Sequence, residues 1–424
     1  MKTNYDVIVV GGGTAGLAAA IQAGRAGANT LLIEKNGILG GTIVVADVNF
    51  PASFHAYGRQ VIAGIGWELC CRTLAETGQP VPGADGNRGW ADGRLHFNIN
   101  PAILAAVGEE MLLASGTDLL LHAMPASILY ENNCWRLTIC TKTGLREATA
   151  GIIIDCTGDA NVVQLAGLEV ERNSEQQAST LVVHVGGYDD SKLDYATIQR
   201  AFEQEVIAGR MKKSDPGWNN GSFEFFLRGY GGNRIHVTGI DATTSEGRTQ
   251  AEVEGRKIMM RIMRFCRRQP GLENFTIKRC AVECGIRETV TIKARRKITI
   301  EDYASGRIWD DALCYSFYPV DVHRTYDLVL RALKPGIHPT IPLGAMIPAA
   351  NARIVTAGRC ISGDQESNSA YRVQATCMAT GQVAGAAAAL AARNNTDLDA
   401  VPLPHLRQLL QTHAAIVPSP ERPV

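Results

Sequence analysis

A strand, a glycine-rich turn, a helix and a second strand follow one another near the start of the chain, in the run DVIVVGGGTAGLAAAIQAGRAGANTLLIEK. Residues 7–10 are apolar throughout, as in strands buried on both faces of a parallel sheet. Gly11, Gly13 and Gly16 give the spacing GxGxxG, which allows a tight turn, close approach of a pyrophosphate and close helix–strand packing. Residues 15–27, rich in Ala and Gly, predict the packed helix. The run therefore predicts a β-α-β unit that binds a dinucleotide.

The acidic residue that closes this unit bears on which dinucleotide is bound. Glu34 ends the second strand, where its carboxylate would accept hydrogen bonds from a ribose and disfavour a 2′-phosphate. The phosphates would lie on the free N–H groups of the helix N-terminus, around Thr14 and Ala15. NAD and FAD share all of these features, so the choice between them depends on other segments.

Two further segments favour a flavin. Gly40, Gly41 and Thr42 follow Glu34 closely, where the pyrophosphate and ribityl chain of a flavin nucleotide would continue. The late run TAGRCISGD precedes a helix rich in small residues, an order typical of the C-terminal flavin-binding segment of FAD proteins. There a helix N-terminus faces the N1/O2 edge of the isoalloxazine, which becomes negative on reduction. The predicted cofactor is FAD.

Composition along the chain predicts a discontinuous nucleotide-binding domain with another domain inserted in it. The fold class is α/β: a Rossmann-like FAD-binding domain with an inserted mixed α+β substrate domain. The predicted domains are 1–48, 97–170 and 336–395 for the FAD-binding domain, 171–335 with part of 49–96 for the substrate domain, and 396–424 for a C-terminal helix and tail.

Charge and hydropathy exclude several classes of partner. The 42 Lys and Arg balance the 42 Asp and Glu, which argues against nucleic acid or an anionic membrane as a partner. No apolar run approaches the roughly 18 residues of a spanning helix, and no leader precedes the first strand, so we expect a cytoplasmic protein. Cys70, Cys71, Cys280 and Cys284 are interpreted as packing residues, with an iron–sulfur role through the last two as an alternative. No metal site is predicted, and assembly into homo-oligomers stays open.

Several motifs together are similar to those of one enzyme family. They are the opening glycine run, LGGT, IIDCTGDA, GIRETVTI, and NARIVTAGRCISGDQES followed by YRVQATCMATGQVAGAAAALA. The chain resembles the bacterial FAD-dependent oxidoreductases of the glutathione-reductase-like and fumarate reductase flavoprotein superfamily, over roughly residues 5–395. The resemblance implies a FAD-binding domain of the glutathione reductase type.

The resemblance also implies which residues bind each part of FAD. The implied contacts are Gly11, Gly13, Thr14, Ala15 and Gly16 for the pyrophosphate, Glu34 and Lys35 for the adenosine ribose, Gly40, Gly41 and Thr42 for the ribityl chain and flavin, Met124, Pro125 and Ala126 with Thr157 and Gly158 for the adenine end, and Gly358, Arg359, Arg372 and Val373 near the flavin. Many relatives carry an acid directly after the glycine of the late strand, where this chain has Arg359. We therefore expect Asp364 to take the ribityl contact.

Oxidation of an alcohol by a flavin requires a proton acceptor beside the hydride acceptor N5, and histidine suits this role near neutral pH. His323 in SFYPVDVHRTYD is the first candidate. It follows Asp321 by two residues, so in an extended segment the two side chains share a face and the acid could orient the ring. The alternative is a hydrogen-bonded structural histidine.

Two arginines are candidates for binding a substrate. Arg287 in GIRETVTI could clamp a carboxylate or a pair of hydroxyls, or it could form an internal salt bridge with Glu288. Arg372 begins the segment before the last long helix; the fumarate reductase branch binds a substrate carboxylate with an arginine in a similar place. For Arg372 the alternative is a flavin contact or a helix start.

The leading hypothesis is an FAD-dependent oxidoreductase that oxidises a small polar metabolite, such as an alcohol, hydroxy acid or carbohydrate derivative, by hydride transfer to flavin N5. The identity of its electron acceptor is open. The first alternative is a reductase of an activated C=C bond, which needs two or more carboxylate-binding arginines and a proton donor. The second is a non-catalytic flavin redox sensor.

Overall fold

The computed structural model describes residues 2–82, 95–219, 221–324 and 328–419. The chain opens with a strand, a helix and a second strand. Later segments contain several strands in succession or several helices in succession. The strands are β1 Asn4–Val10, β2 Thr30–Ile33, β3 His55–Ala56, β4 Arg59–Gln60, β5 Asp118–Leu120, β6 Met124–Glu131, β7 Cys134–Thr141, β8 Gly144–Asp155, β9 Val170–Glu171, β10 Ser179–Gly186, β11 Gly231–Val237, β12 Thr276–Cys280, β13 Thr291–Ile292, β14 Ala312–Tyr315, β15 Val320–His323, β16 Leu328–Arg331, β17 Thr340–Pro342 and β18 Ile354–Thr356. The helices are α1 Thr14–Arg25, α2 Ile65–Glu76, α3 Pro101–Ala114, α4 Asn161–Leu165, α5 Tyr195–Ile207, α6 Phe223–Arg228, α7 Ser245–Cys266, α8 Ile300–Ser305, α9 Gln365–Tyr371, α10 Gln374–Asn394 and α11 Leu403–Thr412.

A seven-stranded mixed sheet forms the centre of the molecule, in the order β5-β2-β1-β8-β7-β6, with β18 also paired to β8. Strands β5, β2, β1, β8 and β18 are parallel neighbours, whereas β8, β7 and β6 form an antiparallel meander. The carboxyl-terminal part of β8 pairs with β18 and its amino-terminal part with β7. The predicted α/β fold with its opening β-α-β unit is confirmed.

Helices α1 and α10 pack against each other through small residues. A Cβ added to Gly381 would lie 2.1 Å from the Ala15 carbonyl oxygen, and one added to Gly385 would lie 2.2 Å from that of Ala19. Only glycine fits these two positions, because the facing atoms belong to the backbone of α1. The expectation that no apolar run approaches the length of a spanning helix was wrong for α10, which is long and apolar enough to cross a membrane by length and composition. Almost all of its residues are buried inside the protein.

A second apolar core lies between the antiparallel sheet β11-β10-β12 and helices α5, α6 and α7. It takes residues from the 181–286 part of the predicted inserted domain. Strands β14 and β17 contribute Leu313 and Ile341 to the core that contains α1 and α10. The exact domain boundaries stay a prediction.

Candidate active site

A cavity of about 1260 Å³ opens at the carboxyl ends of the parallel strands. Val10, Ile33, Cys156 and Ala357 line it, each at or just after the end of β1, β2, β8 or β18. Val182 and His184 of β10 line it from the second core. In open α/β sheets ligands bind outside the carboxyl ends of the strands, so this cavity lies where a dinucleotide is expected.

The glycine-rich turn after β1 forms a cradle beside the N-terminus of α1. Gly11 has φ +100°, and a Cβ there would lie 2.6 Å from the Cys156 carbonyl oxygen. A Cβ on Gly13 would meet nothing closer than 3.9 Å, so this position faces open space. No side chain caps α1 at Gly13, which leaves its first turn available to an anion.

Glu34 lies where the ribose of a dinucleotide is expected. Its Oε2 accepts a hydrogen bond from the Gly12 N–H at 2.5 Å, and its Oε1 accepts one from the Asn36 N–H at 2.8 Å. Burial raises the pKa of this carboxyl, while the two backbone donors act in the opposite direction. Each oxygen keeps a lone pair with which it can accept a hydroxyl hydrogen bond.

The N-terminus of α10 meets that of α1 at the same cavity. Val373 precedes α10 without a side-chain cap, and Val373, Gln374 and Cys377 line the cavity. The Thr14 hydroxyl donates a hydrogen bond of 2.9 Å to Gln374 Oε1. Two uncapped helix N-termini therefore point at one cavity, an arrangement that favours both a pyrophosphate and a flavin edge that becomes anionic. The residues present fit FAD.

Most of the residues predicted to bind the cofactor line this cavity. They are Gly11, Gly13, Thr14, Ala15, Glu34, Lys35, Gly41, Thr42, Pro125, Thr157, Gly158, Gly358, Arg359 and Val373, together with Met124.

Four predicted cofactor residues lie outside the lining. A Cβ on Gly16 would overlap the Gly11 carbonyl oxygen at 1.8 Å, so Gly16 permits helix–strand packing. The Gly40 N–H donates to the Gly12 carbonyl at 2.8 Å, and Ala126 is exposed on β6. Asp364 caps α9, because its carboxylate accepts from the N–H groups of Ser367 at 2.8 Å and Ile300 at 2.7 Å. None of these four residues is among those that line the cavity.

Arg359 is held by the protein itself. Its Nε donates to the Gly158 carbonyl at 2.9 Å, its Nη1 to the Ile286 carbonyl, and its Nη2 to Asp159 Oδ1 at 2.5 Å. The guanidinium thus joins the turn after β8 to the segment before Arg287. Sequence reasoning missed Asp159, although it stands next to the predicted Gly158.

The three predicted catalytic residues come together at one end of the cavity, with Asp321 between them. The Nε2 of His323 lies 3.2 Å from Asp321 Oδ1, and the Nη2 of Arg372 lies 3.7 Å from Asp321 Oδ2. Arg287 lines the same region and donates from Nη1 to the Ala178 carbonyl at 2.8 Å and to the Thr180 hydroxyl. A buried cluster of two arginines, a carboxylate and an imidazole results.

Burial controls the charge of this cluster. It lowers the pKa of His323 to about 4, with a further contribution from the nearby Arg287 cation, so the imidazole is neutral at pH 7. It also lowers the pKa of Arg287 to about 9 and moves that of Arg372 downward. Burial alone would raise the pKa of Asp321, but the His323 hydrogen bond and the two arginines outweigh it, so the carboxyl is ionised.

Several polar atoms around the cluster have no hydrogen-bond partner among the described residues. Gln177 Oε1 accepts hydrogen bonds from the backbone N–H of His323 and from Arg372 Nη2, both at 3.2 Å. These bonds fix the orientation of the Gln177 amide and leave its Nε2 unpaired. Arg372 Nε, His323 Nδ1 and both ring nitrogens of His236 are also buried and unpaired. The His236 ring lies 5.3 Å from that of His323. Of these residues, Arg372 and His323 line the cavity, whereas Gln177 and His236 lie behind it. Buried polar groups are normally hydrogen-bonded, so the unpaired atoms of Arg372 and His323 favour a polar ligand at this end of the cavity.

The salt bridge offered as an alternative for Arg287 does not form among the described residues. Glu288 instead accepts hydrogen bonds from Asn173 Nδ2 at 2.6 Å and from Gln365 Nε2 at 3.0 Å. Neighbours in sequence, Arg287 and Glu288 therefore bind different partners. Gln177, Thr180 and His236 carried no sequence signal, because their spacing matches no motif and only the fold brings them near Arg287.

Three cysteines, Cys156, Cys284 and Cys377, line the cavity wall. All eleven are free thiols. The Cys284 thiol is buried and donates to the Ala251 carbonyl at 3.6 Å, and burial raises the pKa of both Cys280 and Cys284. Within the described ranges no group of three or more His, Cys, Asp or Glu is arranged to hold a metal ion.

The sheet, the carboxyl-edge cavity and the two helix N-termini define a Rossmann-type flavoenzyme. A family model described as FAD dependent oxidoreductase matches residues 6–410. The chain therefore belongs to the FAD dependent oxidoreductase family, its cofactor is FAD, and it is an oxidoreductase.

Shorter matches connect the chain to named enzymes. It is 50% identical over 46 residues to a urocanate reductase of Eggerthella lenta, covering 11% of this chain and 8% of that protein. It is 50% identical over 56 residues to an NADH:fumarate oxidoreductase of Klebsiella pneumoniae, covering 13% and 6%. The chain thus spans about a tenth or less of the length of these relatives.

A solved structure of a geranylgeranyl bacteriochlorophyll reductase-like protein from Thermoplasma acidophilum is also similar. The alignment covers 97% of this chain and 82% of that one, with 13% identity and a TM-score of 0.45.

Proposed function

We propose that the enzyme oxidises a small alcohol that carries a carboxylate, such as a hydroxy acid. The observation that carries this proposal is the meeting of Arg287 and Arg372 with the Asp321–His323 pair at one buried end of the FAD cavity. Two guanidinium groups and one carboxylate leave a net positive charge there, which a single substrate carboxylate would neutralise.

The two arginines would bind and orient the carboxylate. Arg287 uses only Nη1 within the described residues, so its Nε and Nη2 remain for a ligand, and Arg372 keeps Nε. A guanidinium fork binds a carboxylate in a planar, bidentate manner and so fixes the substrate's rotation. The rest of the substrate would then extend towards the flavin end of the cavity, where Val373 and Gly358 lie.

His323 would take the hydroxyl proton. Because the Asp321 carboxylate can only accept, we assign the ring proton to Nε2, which leaves the lone pair on Nδ1. When bound, FAD supplies the hydride acceptor. The substrate hydroxyl loses its proton to Nδ1 as the neighbouring carbon loses a hydride, and the C–O bond becomes C=O. Asp321 stabilises the imidazolium that forms.

The neutral state of His323 supports its assignment as a proton acceptor rather than as the proton donor of a C=C reduction. Reduction of a C=C bond needs a proton donor, and an imidazole with a pKa of about 4 is an acceptor at neutral pH. The reductase stays the second candidate, because the arginine pair is the feature that this alternative required and Arg287 has a lowered pKa of about 9.

Anaerobic mixing of the holoenzyme with matched compounds tests the proposal. Hydroxy acids are expected to bleach the visible flavin absorption, while the corresponding diols without a carboxylate are not. Equal bleaching by acids and diols would contradict the arginine assignment. Rapid reoxidation of chemically reduced enzyme by unsaturated carboxylates, with no bleaching by any alcohol, would favour the reductase; no response in either direction would leave a redox sensor.

A further inference from the structure

Asp159 lies between two arginines from distant parts of the chain. Its Oδ1 accepts from Arg359 Nη2, and its Oδ2 accepts from Arg248 Nη2, both at 2.5 Å. The Thr289 hydroxyl donates to Oδ1 at 2.9 Å. All but Thr289 line the cavity. Two cations around one carboxylate leave one positive charge in excess at this point of the wall.

The two guanidinium groups differ in what they leave unused. Arg359 donates from Nε, Nη1 and Nη2 to protein acceptors, so it serves mainly to join segments of the chain. Arg248 donates from Nε to the Ala242 carbonyl at 3.0 Å and from Nη2 to Asp159, whereas Nη1 donates to none of the described residues. The Arg248 guanidinium is thus fixed in orientation, keeps a donor group that no described residue uses, and belongs to a residue that lines the cavity.

Arg248 lines the same cavity as the glycine-rich turn. A Cβ on Gly11 would be 3.0 Å from the Thr157 nitrogen. Asp159 follows Thr157 by two residues, a Cα distance of at most about 7.6 Å. The guanidinium that bonds Asp159 therefore lines the same cavity as the uncapped N-terminus of α1, where the phosphates of a dinucleotide bind.

We propose that Arg248, in the first turn of α7, binds the pyrophosphate of FAD. Asp159 offsets one of the two positive charges at this point of the wall, and the doubly negative pyrophosphate takes the remaining positive charge. The second core, which contains α7, would thereby contribute directly to cofactor affinity, and bound FAD would connect the two cores through one ionic contact.

Retention of FAD by the holoprotein tests this without any substrate. Released FAD is measured by its fluorescence after serial dilution of wild type, Arg248→Gln and Arg248→Lys. We expect Arg248→Gln to raise the Kd for FAD by about 10- to 100-fold, the range for one lost charge-assisted contact, and Arg248→Lys to give an intermediate value. ADP, which carries the pyrophosphate, should lose affinity by the same factor as FAD when used as a competitor, whereas riboflavin should not.

Two further variants separate the phosphate contact from its alternatives. Arg256→Gln removes an equal charge from the same helix and the same cavity wall, two turns or about 12 Å further on, where Arg256 pairs with Glu252 at 3.1 Å. Asp159→Asn breaks the ion pair but keeps the Arg248 cation. We expect both to bind FAD within a factor of about three of wild type. If Asp159→Asn lost as much affinity for FAD as Arg248→Gln, Arg248 would have a structural role only. If Arg256→Gln lost as much, the effect would come from the net charge of the cavity wall and not from a specific contact. Either result overturns the proposal.

Discussion

Replacing Gly381 by alanine tests whether the contact between α1 and α10 fixes the cofactor cradle. The new Cβ would lie 2.1 Å from the Ala15 carbonyl oxygen, well inside the 3.5–4.0 Å at which carbon makes favourable contacts. The two helices must separate by about 1 Å or more, and the atom that blocks them is backbone, so no side-chain rotation relieves the overlap. Ala15 stands in the first turn of α1, so the displacement falls on the cradle itself.

The expected magnitude follows from two opposed contributions. Overpacking of a well-filled core costs about 1–3 kcal/mol. Alanine in a helix interior gains about 1 kcal/mol over glycine. Because the obstacle is rigid backbone, we take the upper part of the first range and expect a net loss of about 1–2 kcal/mol in the free energy of unfolding, together with weaker retention of FAD.

Gly151→Ala is the matched control, since it makes the same chemical change in β8. Its Cβ would meet the Asp6 carbonyl oxygen at 3.4 Å, an ordinary contact. Urea unfolding and FAD retention would be measured for both variants. A Gly381→Ala variant as stable as Gly151→Ala, with unchanged FAD retention, would refute the argument that close backbone packing at α10 holds the cradle.

The remaining predictions concern the buried cluster. His323→Gln should lower kcat for substrate oxidation by about 10²–10⁴-fold while FAD absorption stays normal, and equal loss of bound FAD would show a structural role instead. Because Asp321 raises the pKa of His323, Asp321→Asn should move the acid limb of the kcat/KM–pH profile, expected near pH 4, to lower pH; an unmoved limb would exclude His323 as the base. The pKa of His323 is about 4 in the folded protein and near 6.5 in the unfolded chain. Below pH 6.5 the unfolded chain therefore binds more protons, and the free energy of unfolding falls by up to about 3 kcal/mol as the pH approaches 4. His236, whose pKa burial lowers to about 2, adds a loss of the same sign, and a His236→Phe variant that kept the full acid sensitivity in urea titrations would contradict this assignment. Arg287→Gln should raise KM for carboxylate substrates about 10- to 100-fold with less effect on kcat, and an unchanged KM would place the carboxylate elsewhere.

The nucleotide end of the site was predictable because its chemistry is local. The turn at Gly11 and Gly13, the helix start at Thr14 and the acid at Glu34 lie within one β-α-β unit, so spacing along the chain determines their spacing in space. The placement of Val373 and Gly358 at the same site was predicted from the family resemblance, since no local rule brings residues so distant in sequence together. The fold class could be read from the same segments.

Other parts of the site depend on tertiary contacts that no pattern records. Asp364 stands in the segment predicted to reach the ribityl chain, yet the nearby N–H groups of Ile300 and Ser367 bind its carboxylate. Arg248 reads in the sequence as one of several arginines on a charged helix, and only its contact with Asp159 distinguishes it. An acidic residue next to a helix start can either cap the helix or contact a ligand. Which of the two roles it takes depends on the groups that pack around it in the fold.

The hydrogen bond between Thr14 and Gln374 joins residues 360 positions apart, and this has a consequence for synthesis on the ribosome. Helix α10, which covers α1, is made roughly 10–50 s after β8 at usual elongation rates, because about 220 residues separate the two elements. Throughout that interval the small-residue face of α1 lacks its partner, and the nascent chain has only one of the two helix N-termini that would surround the cofactor. FAD can therefore bind between the two helix N-termini only after α10 has been made, and we expect chains without FAD to be more sensitive to protease than the holoprotein.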